Sequence, residues 1–128
     1  MLYIVATPIG NLQDVSPRAI SALNSSDIIL AEDSRVTRVL LSKYSIDKPI
    51  VSYHQHSKVS KINEVIKLLK EGKTLSLVSD AGTPGINDPG NFLIQEVLKA
   101  LPDLRMVPIP GPNAAITALS VSGFPADK

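Results

Sequence analysis

Twelve consecutive residues, Ser79-Asp80-Ala81-Gly82-Thr83-Pro84-Gly85-Ile86-Asn87-Asp88-Pro89-Gly90, hold three glycines and two prolines. Glycine lets backbone come close to a ligand, and proline fixes a loop at low entropic cost. A plain connection needs about 2–6 residues, so this one points to a ligand loop. Asp80 has the chemistry to accept a hydrogen bond from an amine or a ribose hydroxyl. The alternative is a rigid turn in which Asp80 caps its own backbone.

Other segments are also rich in chemistry. Thr7-Pro8-Ile9-Gly10-Asn11 has the look of a phosphate loop, yet neither GxxxxGKS/T nor GxGxxG occurs, which argues against a P-loop ATPase and the usual dinucleotide fingerprint. Pro110-Gly111-Pro112-Asn113-Ala114-Ala115 sets a tight turn at a helix N-terminus among small residues. It offers room for a flat ring, or simply proline in the first turn with small residues for close packing. His54 and His56 flank Gln55 and share one face of an extended segment. The chain has no cysteine and no obvious third ligand beside them, so solvated or substrate-facing histidines are expected, and no metal site. Glu32-Asp33-Ser34-Arg35 reads as a helix start capped by Asp33 or Ser34. Arg35 with Arg38 is also the local cationic cluster among these motifs, suited to a phosphate.

The totals set bounds on this chemistry. With 128 residues, 44% of them hydrophobic, the chain fits one domain with a proper core. The absence of cysteine excludes disulfides, thiolate metal sites and thiol catalysis. Thirteen basic against twelve acidic residues give a net charge of +1, so nucleic-acid binding must lean on a local cluster or a further domain. Aromatics are only 4% with no Trp, which disfavours a base-stacking platform. Met1 leads into an apolar segment without a basic n-region, and the apolar runs are short; no signal peptide and no membrane span are expected, and the cytoplasm is the plain reading.

The elements that must position these loops alternate. Short apolar runs at 2–6, 28–31, 50–53, 74–78 and 105–109 read as buried strands. Helices are expected from Ser16-Pro17, over 34–43, through Val59, Ile62, Ile66 and Leu69 to a glycine cap at Gly72, from Asp88-Pro89 through Phe92, Leu93, Val97 and Leu98, and over 112–122. The fold class is therefore α/β: a three-layer domain with a five-stranded, mainly parallel sheet and helices on both faces. All the chemically loaded segments are strand-to-helix links, which gather at the carboxyl edge of such a sheet, where ligands bind. The helix-to-strand links, such as Glu71-Gly72-Lys73, carry little chemistry.

Taken together, Thr-Pro-Ile-Gly-Asn-Leu at 7–12, Ala-Glu-Asp-Ser-Arg-Val-Thr at 31–37, the loop at 79–90 and Pro-Gly-Pro-Asn-Ala-Ala-Ile-Thr-Ala-Leu at 110–119 resemble the ribosomal RNA small-subunit methyltransferase I family, a branch of the tetrapyrrole methylase superfamily. The resemblance covers essentially the whole chain. It implies S-adenosylmethionine as cofactor and methylation of the ribose 2′-hydroxyl of a cytidine in the decoding region of 16S rRNA in the 30S subunit. It also implies a longer, cytoplasmic, homodimeric enzyme with a second α/β domain and the cofactor between the domains. Residues 1–122 would then be the N-terminal domain and 123–128 the start of the connection, the chain being inactive alone.

Carried over residue by residue, the resemblance implies cofactor contacts at Ile9, Asp80, Gly82, Thr83, Ile86, Asn113 and Ala114. RNA contacts are implied at Pro8, Gly10, Arg35 and Arg38. Thr83 stands where the superfamily has an acidic residue, and Ser57-Lys58 follow the histidines where the branch has Asn-Glu. The base that takes the hydroxyl proton is not identified; Asp33, His54 and His56 are the candidates. The rivals are a tetrapyrrole C-methyltransferase, and a binding or dimerisation domain that catalyses nothing.

Overall fold

The computed structural model describes residues 1–53, 59–86 and 89–126. Strands β1 (Leu2–Val5), β2 (Ile28–Ala31), β3 (Ile50–Ser52), β4 (Leu75–Val78) and β5 (Met106–Ile109) alternate with helices α1 (Pro17–Ser25), α2 (Ser34–Lys43), α3 (Val59–Lys70), α4 (Gly90–Ala100) and α5 (Ala114–Ser122). The sheet has the order β3-β2-β4-β1-β5, and every pair is parallel.

Local chemistry sets the boundaries. The Ser16 hydroxyl accepts the Ala19 N–H at 3.0 Å, with Pro17 in the first turn, so α1 starts where a capped helix should. Past α3, Gly72 takes φ +85° and the chain closes with Gly72 N–H to Leu69 O at 3.1 Å and Lys73 N–H to Leu68 O at 3.1 Å. The last helix begins two residues later than the sequence suggests: Asn113, not Pro112, occupies the boundary, its side chain accepting the Ile116 N–H at 2.9 Å. For α4, Pro89 holds the cap position; Asn87 and Asp88 lie outside the described residues.

The two faces of the sheet are covered separately, as expected for three layers. Helices α1 and α2 pack over Val5, Ile29, Ala31, Val78 and Ile109. Helices α3 and α4 pack over Leu2, Ile4, Leu30, Leu75 and Leu77. On α3 the covered stripe is Ile62, Val65 and Leu69; Val59, expected on it, sits at the helix's first position, belongs to neither core and is 69% exposed. On α4, Leu93 and Val97 are buried, while Phe92 and Leu98, each one residue off that stripe, stay exposed. Helix α5 is different in kind: none of its residues is buried, although it is apolar on every side. Among the described residues no helix is long and apolar enough to cross a membrane.

Candidate functional site at the carboxyl edge

Strand order and helix placement define where a ligand can enter. Helices α1 and α2 lie on one face and α3 and α4 on the other, so the links leaving β2 and β4, which are neighbours, depart to opposite faces. The gap between them is a topological switch point, the usual ligand crevice of an open parallel sheet. Asp33 and Asp80 follow these two strands. The Asp33 N–H donates to Asp80 Oδ1 at 3.0 Å, so Asp80 caps the backbone of the neighbouring loop rather than its own.

The first loop is clasped to the glycine-rich loop. Thr7 and Gly82 exchange two backbone hydrogen bonds, each 3.0 Å, in an isolated antiparallel bridge. The buried Thr7 hydroxyl also reaches Ser79 O at 3.4 Å, and the Ser79 hydroxyl donates to Ala81 O at 3.0 Å. Gly82 takes φ +78°, where a side chain is strained, and a Cβ there would stand 3.7 Å from both Ile9 Cγ2 and Pro112 O. Gly82 is therefore the point at which the first loop, the 79–86 loop and the 110–113 turn converge. Gly111 serves the same junction by close approach, since a Cβ there would lie 2.8 Å from Ala6 Cβ. Ile9 and the 110–113 turn thus meet at Gly82, with Thr83 next to it and Asn113 and Ala114 at the end of the turn; Ile86, further along the 79–86 loop, is exposed.

Charge is arranged less simply than the sequence implies. Asp33 caps α2 by accepting the Arg35 N–H at 2.9 Å, and its carboxylate also binds the Arg35 guanidinium at 3.2 and 2.9 Å. That side-chain hydrogen bond from Arg35, reinforced by its backbone N–H, holds the Asp33 carboxyl below the ordinary carboxylate range and raises Arg35 in turn. A depressed carboxyl is a weak proton acceptor at neutral pH, so Asp33 is better suited to fixing the loop than to general-base work. Arg35 is correspondingly committed to Asp33, whereas Arg38 is exposed on the same helix. His54 and His56 lie outside the described residues. No group of metal-ligating side chains occurs among the described residues.

Beside the clasp lies a cleft of about 450 Å³, bounded by Pro8, Ile9, Gly10 and Leu12, by Val36 and Val39 of α2, and by Ser79, Asp80 and Ala81. It brings Pro8 and Gly10 together with Asp80; Gly82, Thr83, Asn113 and Ala114 are not among its lining residues. Val36 and Val39 were not foreseen as site residues. Their signal is visible in the sequence: they fall outside the Thr37, Leu40 and Leu41 stripe that α2 buries.

Comparison with known proteins fits this architecture. The family model of the tetrapyrrole (corrin/porphyrin) methylases matches residues 1–128. Proteins named ribosomal RNA small subunit methyltransferase I are similar to it: that of Thermotoga maritima is 49% identical over 99% of this chain and 56% of its own length. That of Haemophilus influenzae is 48% identical over 100% and 44%, and that of Bacillus subtilis 51% over 97% and 42%. The chain spans about half the length of the curated relatives it matches. Among solved structures, uroporphyrin-III-C-methyltransferase from Thermus thermophilus superposes with TM-score 0.70 at 19% identity, over 97% of this chain and 53% of that one. A cobalt precorrin-4 methyltransferase gives 0.69 at 16%, over 93% and 48%; likenesses this remote speak for the fold alone. With its five-stranded parallel sheet, its clasped edge loops and a family match from end to end, the chain belongs to the tetrapyrrole methylase family.

Proposed function

We propose that this chain is the donor-binding half of an S-adenosylmethionine-dependent enzyme that methylates the ribose 2′-hydroxyl of a cytidine in the decoding region of 16S rRNA. The observation that carries the reading is the Gly82 junction, which draws Ile9, Gly82–Thr83 and the Asn113–Ala114 turn into one wall of small and apolar groups. Such a wall fits a cofactor with a flat ring and an aliphatic arm: backbone is accessible at the left-handed glycine, and the exposed Ile86 offers an apolar contact. When bound, S-adenosylmethionine supplies a methyl group on a sulfonium that departs as a neutral thioether.

The chain's own task is then positional. Aligning a hydroxyl with the methyl carbon can contribute several kcal/mol, on the order of the 7–11 kcal/mol seen for well-oriented intramolecular reactions. The hydroxyl proton needs an acceptor, and with Asp33 held low by Arg35 the histidines at 54 and 56 are the better candidates. Arg38 suits a phosphate of the RNA, and Pro8 and Gly10, which line the cleft beside α2, are assigned to the substrate side. The substrate sets a cytoplasmic location. The unburied, apolar α5 supports a complete enzyme in which this surface is covered, by a second domain and in a homodimer.

The test is methyl transfer by protein made from the full coding region, using 30S subunits and a uroporphyrinogen-type acceptor with labelled S-adenosylmethionine. Label in the ribose of one 16S cytidine is the expected result, with this chain alone inactive. Label in the tetrapyrrole and none in RNA would sink the reading.

A further inference from the structure

We infer that the cleft between the first loop and α2 receives an unpaired nucleobase, specifically one bearing an exocyclic amine. The inference rests on the RNA-methylation reading and deepens it, because it gives the target nucleotide's base a pocket that shares Ile9 alone with the residues of the methyl-donor wall. At about 450 Å³ the cleft is large enough for a nucleoside and lies within the range of small-molecule sites, roughly 300–1,000 Å³. Its lining is largely apolar, with Ile9 and Leu12 on the first-loop side and Val36 and Val39 on the α2 side.

The two valines are the telling feature. They are 43% and 58% exposed and contribute nothing to the core, which α2 serves through Thr37, Leu40 and Leu41. Three residues apart, they share one helix face, and that face lines the cleft. Two flanking apolar walls suit the faces of a planar ring.

Charge then selects the ring. Asp80 lines the cleft, oriented by the bond from the Asp33 N–H to its Oδ1. A carboxylate has acceptor sites beyond that one bond, so it can take hydrogen bonds from an amine. Cytosine and adenine present an exocyclic amine, whereas uracil presents a carbonyl in that place. Phosphate is disfavoured, because the lining is largely apolar, its one charged group is the Asp80 carboxylate, and the Arg35 guanidinium is already paired with Asp33. The sugar-phosphate strand is therefore left outside, near the exposed Arg38. A base cannot enter such a cleft while stacked in a helix; it must be extruded or already single-stranded.

The experiment uses amide spectra of the 128-residue chain, titrated separately with cytidine, uridine, inorganic phosphate and S-adenosylmethionine. Cytidine should shift the amides of residues 10–12 and 36–40, uridine should bind about tenfold more weakly, and phosphate should leave them unmoved. Val39→Glu, at an exposed position, should keep the dispersed spectrum of a folded chain and abolish the cytidine shifts. Asp80→Asn retains an oxygen for the Asp33 N–H while adding an amide donor, and should reverse the preference towards uridine. The assignment is overturned if millimolar cytidine moves nothing there, if phosphate moves the same amides equally, or if S-adenosylmethionine competes with cytidine for them. The donor reading is judged on other signals, those of Gly82, Thr83, Asn113 and Ala114. Cofactor shifts there without nucleoside shifts in the cleft would leave that reading intact and dispose of the pocket alone.

Discussion

Two glycines at the carboxyl edge do different work, and substitution should tell them apart. At Gly82 a Cβ meets ordinary van der Waals neighbours, so Gly82→Ala costs through its φ of +78°, about 1–2 kcal/mol. At Gly111 the cost is a collision with Ala6 Cβ at 2.8 Å. Adding Ala6→Gly should therefore rescue Gly111→Ala and leave Gly82→Ala uncorrected, which urea unfolding of the two double variants would show; equal rescue would refute the distinction. Asp33 gives a pH signature. Its folded pKa lies below the ordinary carboxylate value, so its contribution is fully present above that value and is lost as pH falls through the folded one. Asn at 33 can still cap α2 but cannot pair with Arg35. Asp33→Asn should therefore flatten the acid limb of the stability profile, and only slightly, because the Arg35 side chain is 89% exposed. A profile unchanged in shape would mean that the pair does not persist in solution.

Among the elements, α5 sets a problem that its own sequence raises. Ala114, Ala115, Ile116, Ala118, Leu119 and Val121 make it apolar all round, the composition of an interior helix, yet nothing on it is buried here. Val121→Lys, at a position 86% exposed, should change the stability of this chain by no more than about 0.5 kcal/mol. The same change should lower its tendency to self-associate, read by sedimentation across a concentration series. A large loss of stability would show instead that the helix is packed within the chain. The other elements were legible because each strand is a short apolar run and each of α1 to α4 carries an apolar stripe at helical spacing. Burial was less legible: periodicity placed Val59 on the α3 stripe but could not say that the core ends one turn later. It also could not say that Val36 and Val39 look into a cleft, because that depends on the first loop, which lies far from them in sequence.

For the molecule as a whole, alternation of strands and helices was enough to imply a parallel sheet with its chemistry on one edge. The order β3-β2-β4-β1-β5 was not, since pairing between strands is non-local and short apolar runs carry little pairing code. Nor was the Asp33–Arg35 pair, where one residue both caps the helix and binds a side chain two positions on. The strand order also has a consequence in time. β1 sits inside the sheet, with Leu2 facing Leu75 on one side and Met106 on the other. A ribosome delivers that strand well before both of its neighbours, so its backbone groups wait for some seventy residues to reach β4 and about a hundred to reach β5 before they find partners. Closing such distant contacts is slow. For that interval a strand that is paired on both sides in the finished protein has neither partner.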